Sequence, residues 1–254
     1  MAAGDHSIRE FVFLYYHFST INQSGVAPFP LTKRMLYTTD MRFDLLTIFP
    51  RMFDAYLNES IIKRAQKNKK VSFNFHDLRD FTTDKHRSVD DRPYGGGPGM
   101  VMKAAPIVAA LSSLPKKKNR RILLMSAKGR VFSQSDAKRL TKYNQIIIIC
   151  PRYEGVDERV LDYVDEEISI GNYVLTGGEL PAMVVIDAVT RLLSGVLGKD
   201  ESSVDESHSE PGVLEYPQYT RPEVFRGKRV PKELLSGDHK KIKLWRIGKR
   251  KIYE

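Results

Sequence analysis

The chain has 254 residues, 41% hydrophobic and 28% charged, enough for one ample core or for an ordinary domain with a small appendage. Its longest apolar runs fall far short of a membrane span, and its single cysteine, Cys150, allows no internal disulfide. Those features exclude a transmembrane helix and a disulfide-stapled scaffold, and they point to a reducing, cytoplasmic setting. The formal net charge of +10 is uneven: between Arg226 and Glu254, 11 Lys and Arg stand against 3 Asp and Glu. Such a density attracts polyanions by neutralising phosphates.

Residues 1–40 differ in kind from the rest. They are rich in aromatics (Phe11, Phe13, Tyr15, Tyr16, Phe18) and nearly neutral, and Asp5 and Glu10 argue against a secretory signal. They read as an accessory extension or as the product of an upstream start. The functional domain is expected to begin at Met41.

From there strands and helices alternate. Phe43–Phe49 reads as a strand, Met52–Ala65 as a helix after Pro50, and Val71–Leu78 as a strand. A helix over Ala104–Leu114 precedes a buried strand, Arg121–Ala127. Ser133 or Ser135 caps a helix ending near Tyr143. Gln145–Cys150 is a strand, Val156–Tyr163 a helix, Glu167–Ile170 a short strand and Glu179–Leu193 a long apolar helix. This alternation predicts an α/β fold with a mostly parallel sheet covered on both faces.

Lys199–Glu210 is polar and reads as a flexible linker or lid. The expected domains are therefore 41–198, a linker over 199–214, and a small basic domain over 215–254. Trp245, Ile242, Leu244 and Ile247 interleave with the basic residues, which predicts a folded amphipathic element.

Two segments carry the chemistry. Ile146–Ile149 runs into Cys150-Pro151-Arg152-Tyr153-Glu154-Gly155, and a second strand runs into Ile170-Gly171-Asn172-Tyr173-Val174-Leu175-Thr176-Gly177-Gly178. Parallel sheets bind small molecules where loops leave the carboxyl ends of their strands. Neither loop is a phosphate cradle or a dinucleotide fingerprint, so the ligand is not expected to be held by phosphates. Cys150 reads as a packed, inert thiol. A third loop, Gly95-Gly96-Gly97-Pro98-Gly99, follows a basic cluster of Lys85, His86 and Arg87, which suits an anionic ligand. His76 and His86 read as surface or hydrogen-bonding residues. The chain has no nucleophile elbow, no metal-spaced His/Cys cluster and no Ser-His-Asp pattern. That favours a reaction run by positioning and acid–base help.

The glycine loop through Met100, Arg152–Arg159, Ile170–Leu175, Gly177-Gly178-Glu179-Leu180-Pro181, Tyr219-Thr220-Arg221-Pro222 and Leu234–His239 together resemble the bacterial tRNA (guanine-N1)-methyltransferases, the TrmD family of the SPOUT class. The resemblance runs from Met41 to about Arg246. It implies a trefoil-knotted parallel sheet with a small α-helical C-terminal domain, a homodimer, and S-adenosylmethionine as methyl donor. The implied target is N1 of the guanosine just 3′ of the anticodon in tRNA, with Mg²⁺ assisting. By the same resemblance the cofactor would be held by Ala127, Pro151, Tyr153, Glu154, Ile170, Gly171, Asn172, Tyr173, Val174, Leu175, Gly177 and Gly178. No metal ligand is assigned.

Guanine N1 carries a proton near neutral pH. A carboxylate must take it as the methyl moves, and a cation should stabilise charge growing on O6. The family's cation matches Arg191. Its base matches Glu206, or Asp205 if the linker slides by one residue. Ala127 stands where the family usually has Pro, Pro151 where Gly is common, and Asn172 where Asp is frequent. The family's C-terminal domain normally continues past Trp245-Arg246, whereas this chain stops at Glu254. A dimer that binds cofactor or RNA without turnover, or a ribose methyltransferase of the same fold, are the competing expectations.

Overall fold

The computed structural model describes residues 41–197 and 206–252. Residues 1–40 and the linker up to Asp205, one of the two candidate bases, lie outside the described residues.

The strands in chain order are β1 (Met41–Thr47), β2 (Val71–Asp77), β3 (Asp90–Asp91), β4 (Val101–Met102), β5 (Arg120–Val131), β6 (Gln145–Ile149) and β7 (Glu166–Ser169). Five of them form one parallel sheet in the order β2-β1-β6-β5-β7. The other two, β3 and β4, pair antiparallel across the glycine loop. The helices are α1 (Asp54–Leu57), α2 (Ser60–Lys67), α3 (Ala104–Ser113), α4 (Gln134–Leu140) and α5 (Glu179–Thr190).

Side chains alternate across a strand, so each apolar run feeds two cores. Ile146 and Ile148 pack with Phe43, Leu45 and Leu123 against α2, α4 and α5. Ile147 and Ile149 pack with Leu46, Ile122 and Leu124 against α3. This is why the isoleucine run shows no polar interruption. Full burial of each such side chain contributes about 1.5–3 kcal/mol. The expected α/β class with a parallel sheet is what the chain forms.

Three elements differ from the sequence reading. The helix expected over 52–65 is broken into a 3-10 turn (Pro50–Phe53), α1 and α2. Nine residues at about 100° each would put Ile62 on the opposite side of a continuous helix from Phe53. The break lets Phe53, Leu57, Ile62 and Ala65 enter one core. The helix expected over 156–163 is a 3-10 helix over Glu158–Tyr163, capped by Asp157, with only Val160 fully buried. One buried residue gives no stripe to hold α-geometry. The strand expected to end at Ala127 instead resumes: β5 meets β7 through Met125, bulges out, and meets it again from Arg130.

Elsewhere the differences are small. Ser133 is the cap of α4, in a reciprocal box with Asp136. β7 and α5 start within a residue of expectation. Past the linker, β8 (Val213–Leu214), β9 (Val224–Phe225) and β10 (Lys228–Arg229) precede α6 (Lys232–Leu235), α7 (His239–Lys249) and β11 (Lys251–Ile252). β11 pairs with β8, and β10 with β9. The basic segment does fold, as α7, with Trp245 edge-on to Tyr219 at 6.1 Å and Arg246 over the Tyr216 ring at 5.0 Å. His76 Nε2 donates to the buried Asp44 carboxylate at 2.9 Å, as expected of a hydrogen-bonding histidine.

Candidate active site

Three neighbouring strands, β6, β5 and β7, end at one cleft of about 270 Å³. The β5 bulge supplies Ser126, Ala127 and Lys128. The loop after β6 supplies Pro151 to Val156. The loop after β7 supplies Ile170, Tyr173, Val174, Leu175, Gly177 and Gly178. A second, larger groove of about 850 Å³ lies among Tyr216–Glu223, Leu234, Leu235 and Trp245. We favour the smaller cleft, because it alone stands at the carboxyl ends of parallel strands.

Of the twelve residues expected to hold the cofactor, ten line the cleft, while Gly171 and Asn172 do not. Gly171 sits instead under the Tyr173 ring. Leu124, Met125, Leu161, Ile168 and Pro181 also line the cleft and were missed. Each flanks a loop that was read, on an element whose apolar pattern signalled only core.

Local chemistry explains the shape. Ser169 Oγ donates to Gly171 O at 2.9 Å and accepts from Gly171 N at 3.2 Å, turning the chain as it leaves β7. Among the described residues, the Val174 and Leu175 N–H groups have no intramolecular acceptor. They are available to a ligand's ring nitrogens. The cleft floor is apolar (Leu124, Leu161, Ile168), which suits a flat base and a sulfonium methyl group. Behind it, Cys150 is fully buried, and burial pushes its thiol well above the ordinary range, so it stays inert.

Arg191 caps the C-terminal end of α5. Its guanidinium grips Glu206 with both nitrogens, at 2.7 and 2.6 Å. The two side chains are 29% and 27% exposed. This hydrogen-bonded cation holds the Glu206 carboxyl below its ordinary value, against partial desolvation. Lys138 Nζ donates to Ser209 O at 2.9 Å and steadies the same segment on α4. Neither Arg191 nor Glu206 lines the cleft.

Comparison with known proteins bears on what these parts do. The family model described as tRNA (Guanine-1)-methyltransferase TrmD matches residues 41–252. A protein of Caldanaerobacter subterraneus subsp. tengcongensis is 54% identical over 209 residues, 82% of this chain and 86% of its own. A Carboxydothermus hydrogenoformans protein is 55% identical over 207 residues, 81% of each chain. One from Geobacter sulfurreducens is 53% identical over 211 residues, 82% of this chain and 86% of its own. All three are named tRNA (guanine-N(1)-)-methyltransferase.

Proposed function

The chain belongs to the tRNA (guanine-1)-methyltransferase family, and on that footing we propose that it methylates N1 of the guanosine at position 37 of tRNA, using S-adenosylmethionine. The observation that carries the reading is the Arg191–Glu206 pair. Guanine presents an O6 acceptor and an N1–H donor side by side. A guanidinium and a carboxylate already gripping each other offer the complementary donor and acceptor. A guanine edge entering between them exchanges one set of charge-assisted bonds for another.

S-adenosylmethionine supplies an electrophilic methyl group when bound. The chain's own residues do the rest. Backbone groups of Ile170, Tyr173, Val174 and Leu175 and the apolar floor hold the adenosyl part. Glu206 accepts the N1 proton, and Arg191 stabilises charge developing on O6. Glu206 is the better candidate for the base because it is the carboxylate paired with Arg191. Asp205 is the alternative if the linker shifts. The Mg²⁺ implied by the family finds no cluster of three His, Cys, Asp or Glu among the described residues, and no step runs through it.

The finer proposals follow the family: a knotted SPOUT sheet, domains divided at 41–198, 199–214 and 215–254, and work in the cytoplasm. The basic α7 region is read as the tRNA grip. No helix among the described residues is long and apolar enough to cross a membrane. A homodimer is supported by an exposed apolar face beside the cleft, formed by Phe49, Met52, Tyr56, Leu180 and Val184. Because Arg191 and Glu206 stand outside their own chain's cleft, a dimer also offers a way to bring base and methyl donor together.

The test is transfer of labelled methyl to a tRNA transcript, beside a transcript lacking only the guanosine next to the anticodon. Labelling of the first alone is expected. Glu206→Gln should lower kcat by about 10²–10⁴-fold, the usual contribution of a general base, and leave S-adenosylmethionine binding intact. Asp205→Asn should change kcat little. Equal labelling of both transcripts would overturn the assigned target.

A further inference from the structure

Two loops of the cleft are joined by an ion pair whose carboxylate is buried. Glu179, the first residue of α5, is fully buried. Its Oε2 accepts from Arg152 Nε at 2.8 Å, and its Oε1 accepts from Thr47 Oγ1 at 2.7 Å. Thr47 ends β1, so the carboxylate is tied to the sheet. Arg152 Nη1 donates to Thr176 O at 3.3 Å, and the guanidinium lies 4.7 Å from the Phe49 ring centre.

The backbone is shaped around this pair. Arg152 and Gly177 form an antiparallel bridge, and Gly178 N–H donates to Pro151 O at 2.8 Å. A Cβ on Gly177 would collide with the Arg152 guanidinium, and one on Gly178 would lie 2.7 Å from Cys150 Cα. Two successive positions therefore carry no side chain, so that the loops can meet around one charge pair.

Stability alone is a poor account of it. Apolar residues of similar volume often serve a core as well as a buried ion pair does. What the guanidinium adds is direction: its planar fork aims Nε at Glu179 and Nη1 at the Thr176 carbonyl, so one side chain fixes both contacts. Arg152 faces the cleft, and Glu179 stands behind it. We propose that Arg152, Glu179 and Thr47 are positioning residues that preset the spacing of the two loops for the adenosyl group. This rests on reading the cleft as the S-adenosylmethionine site.

The experiment is calorimetric titration of S-adenosylhomocysteine into full-length wild type, Arg152→Lys and Glu179→Gln, with methyl-transfer kinetics beside it. Kd for S-adenosylhomocysteine and KM for S-adenosylmethionine are expected to rise about tenfold or more, as for loss of a charged hydrogen bond. Saturated kcat should stay within about threefold of wild type. Arg152→Lys keeps the charge and loses the fork, so wild-type affinity in that variant would overturn the proposal. So would a lowered Tm with unchanged Kd in folded protein, the mark of a purely structural pair. If both variants fail to fold, Thr47→Val leaves the charge pair in place and removes the hydroxyl that anchors Glu179 and accepts the Phe49 N–H. It is expected to weaken binding about threefold, and unchanged binding there overturns the proposal too. Failure of wild type to bind S-adenosylhomocysteine would sink the reading of the cleft itself, and it would show in the unmutated protein.

Discussion

Asp44 is a charge buried in the middle of a hydrophobic sheet. Burial alone would raise its pKa. Hydrogen bonds from His76, Arg42 and Gln145 outweigh that and bring it down to about 2. The folded value lies below the unfolded one, so the carboxylate stabilises the fold at neutral pH. That contribution is complete above the ordinary value of 3.8 and is lost as pH falls through about 2. The difference amounts to about 2 kcal/mol. Urea unfolding between pH 2 and 7 should therefore find Asp44→Asn destabilised by about 2 kcal/mol at pH 7, with the gap to wild type closing towards pH 2. A gap that stays constant with pH would show that the lost packing, not the charge, sets the cost. The same logic applies at Glu206, whose carboxyl Arg191 holds down: the pair persists at neutral pH and releases only in acid.

At the scale of elements, close approach decides what residue a position takes. Gly129 lies in the β5 bulge, where an added Cβ would sit 2.5 Å from Ile168 N and 2.6 Å from Glu167 C. Both are backbone atoms of a paired strand and cannot rotate away. Gly129→Ala should cost about 1–3 kcal/mol, the usual range for overpacking. At about 2–4 °C per kcal/mol for a domain of this size, the fall in Tm is readily measured by calorimetry. Gly248 in α7 meets nothing within 4 Å, so Gly248→Ala should raise stability by about 0.5–1 kcal/mol. An equal effect at both sites would mean that glycine entropy, not contact, governs Gly129.

The bulge also marks where sequence reasoning ran out. Unbroken apolar runs and alternating periods revealed the strands of the sheet and the helix from Glu179, because burial on two faces writes itself into composition. The interruption of β5 did not, since Ser126–Gly129 leaves and rejoins one strand without a change of period. The site divided in the same way. Tyr153 and Leu175 stand in loops legible at strand ends, while their expected cofactor role, like that of Ala127, came from family resemblance. The Arg152–Glu179 pair joins residues 27 apart, and no local pattern reports a contact made by folding. The roles of Arg191 and Glu206 are those the family resemblance implies, and their mutual grip is likewise a contact made by folding.

At the scale of the whole molecule, the surface that asks for a partner is the apolar face beside the cleft. Tyr56 hydrogen-bonds Asp187 on α5, and its hydroxyl pKa is pushed up to about 12 by that carboxylate and by partial burial. The bond ties α1 to α5, and Met52, in the 3-10 turn leading into α1, and Val184, on α5, are 45% and 42% exposed. Soluble chains seldom leave several large apolar side chains clustered and bare unless another surface covers them. A second copy is the proposed cover, and an isologous contact would set the same patch of each chain against the other, residue i meeting residue j twice. Val184→Glu would then bury an unpaired carboxylate from each chain in the apolar contact, which a dimer does not tolerate. Sedimentation equilibrium should find wild type at twice its chain mass of 29.1 kDa and Val184→Glu at the chain mass. Methyl transfer should fall with the loss of the dimer, because the base and the cleft no longer meet. A Val184→Glu protein that sediments as a dimer would move the contact to another face. A monomer with full activity would show that one chain brings Glu206 to its own cleft, through movement of the segment that carries it.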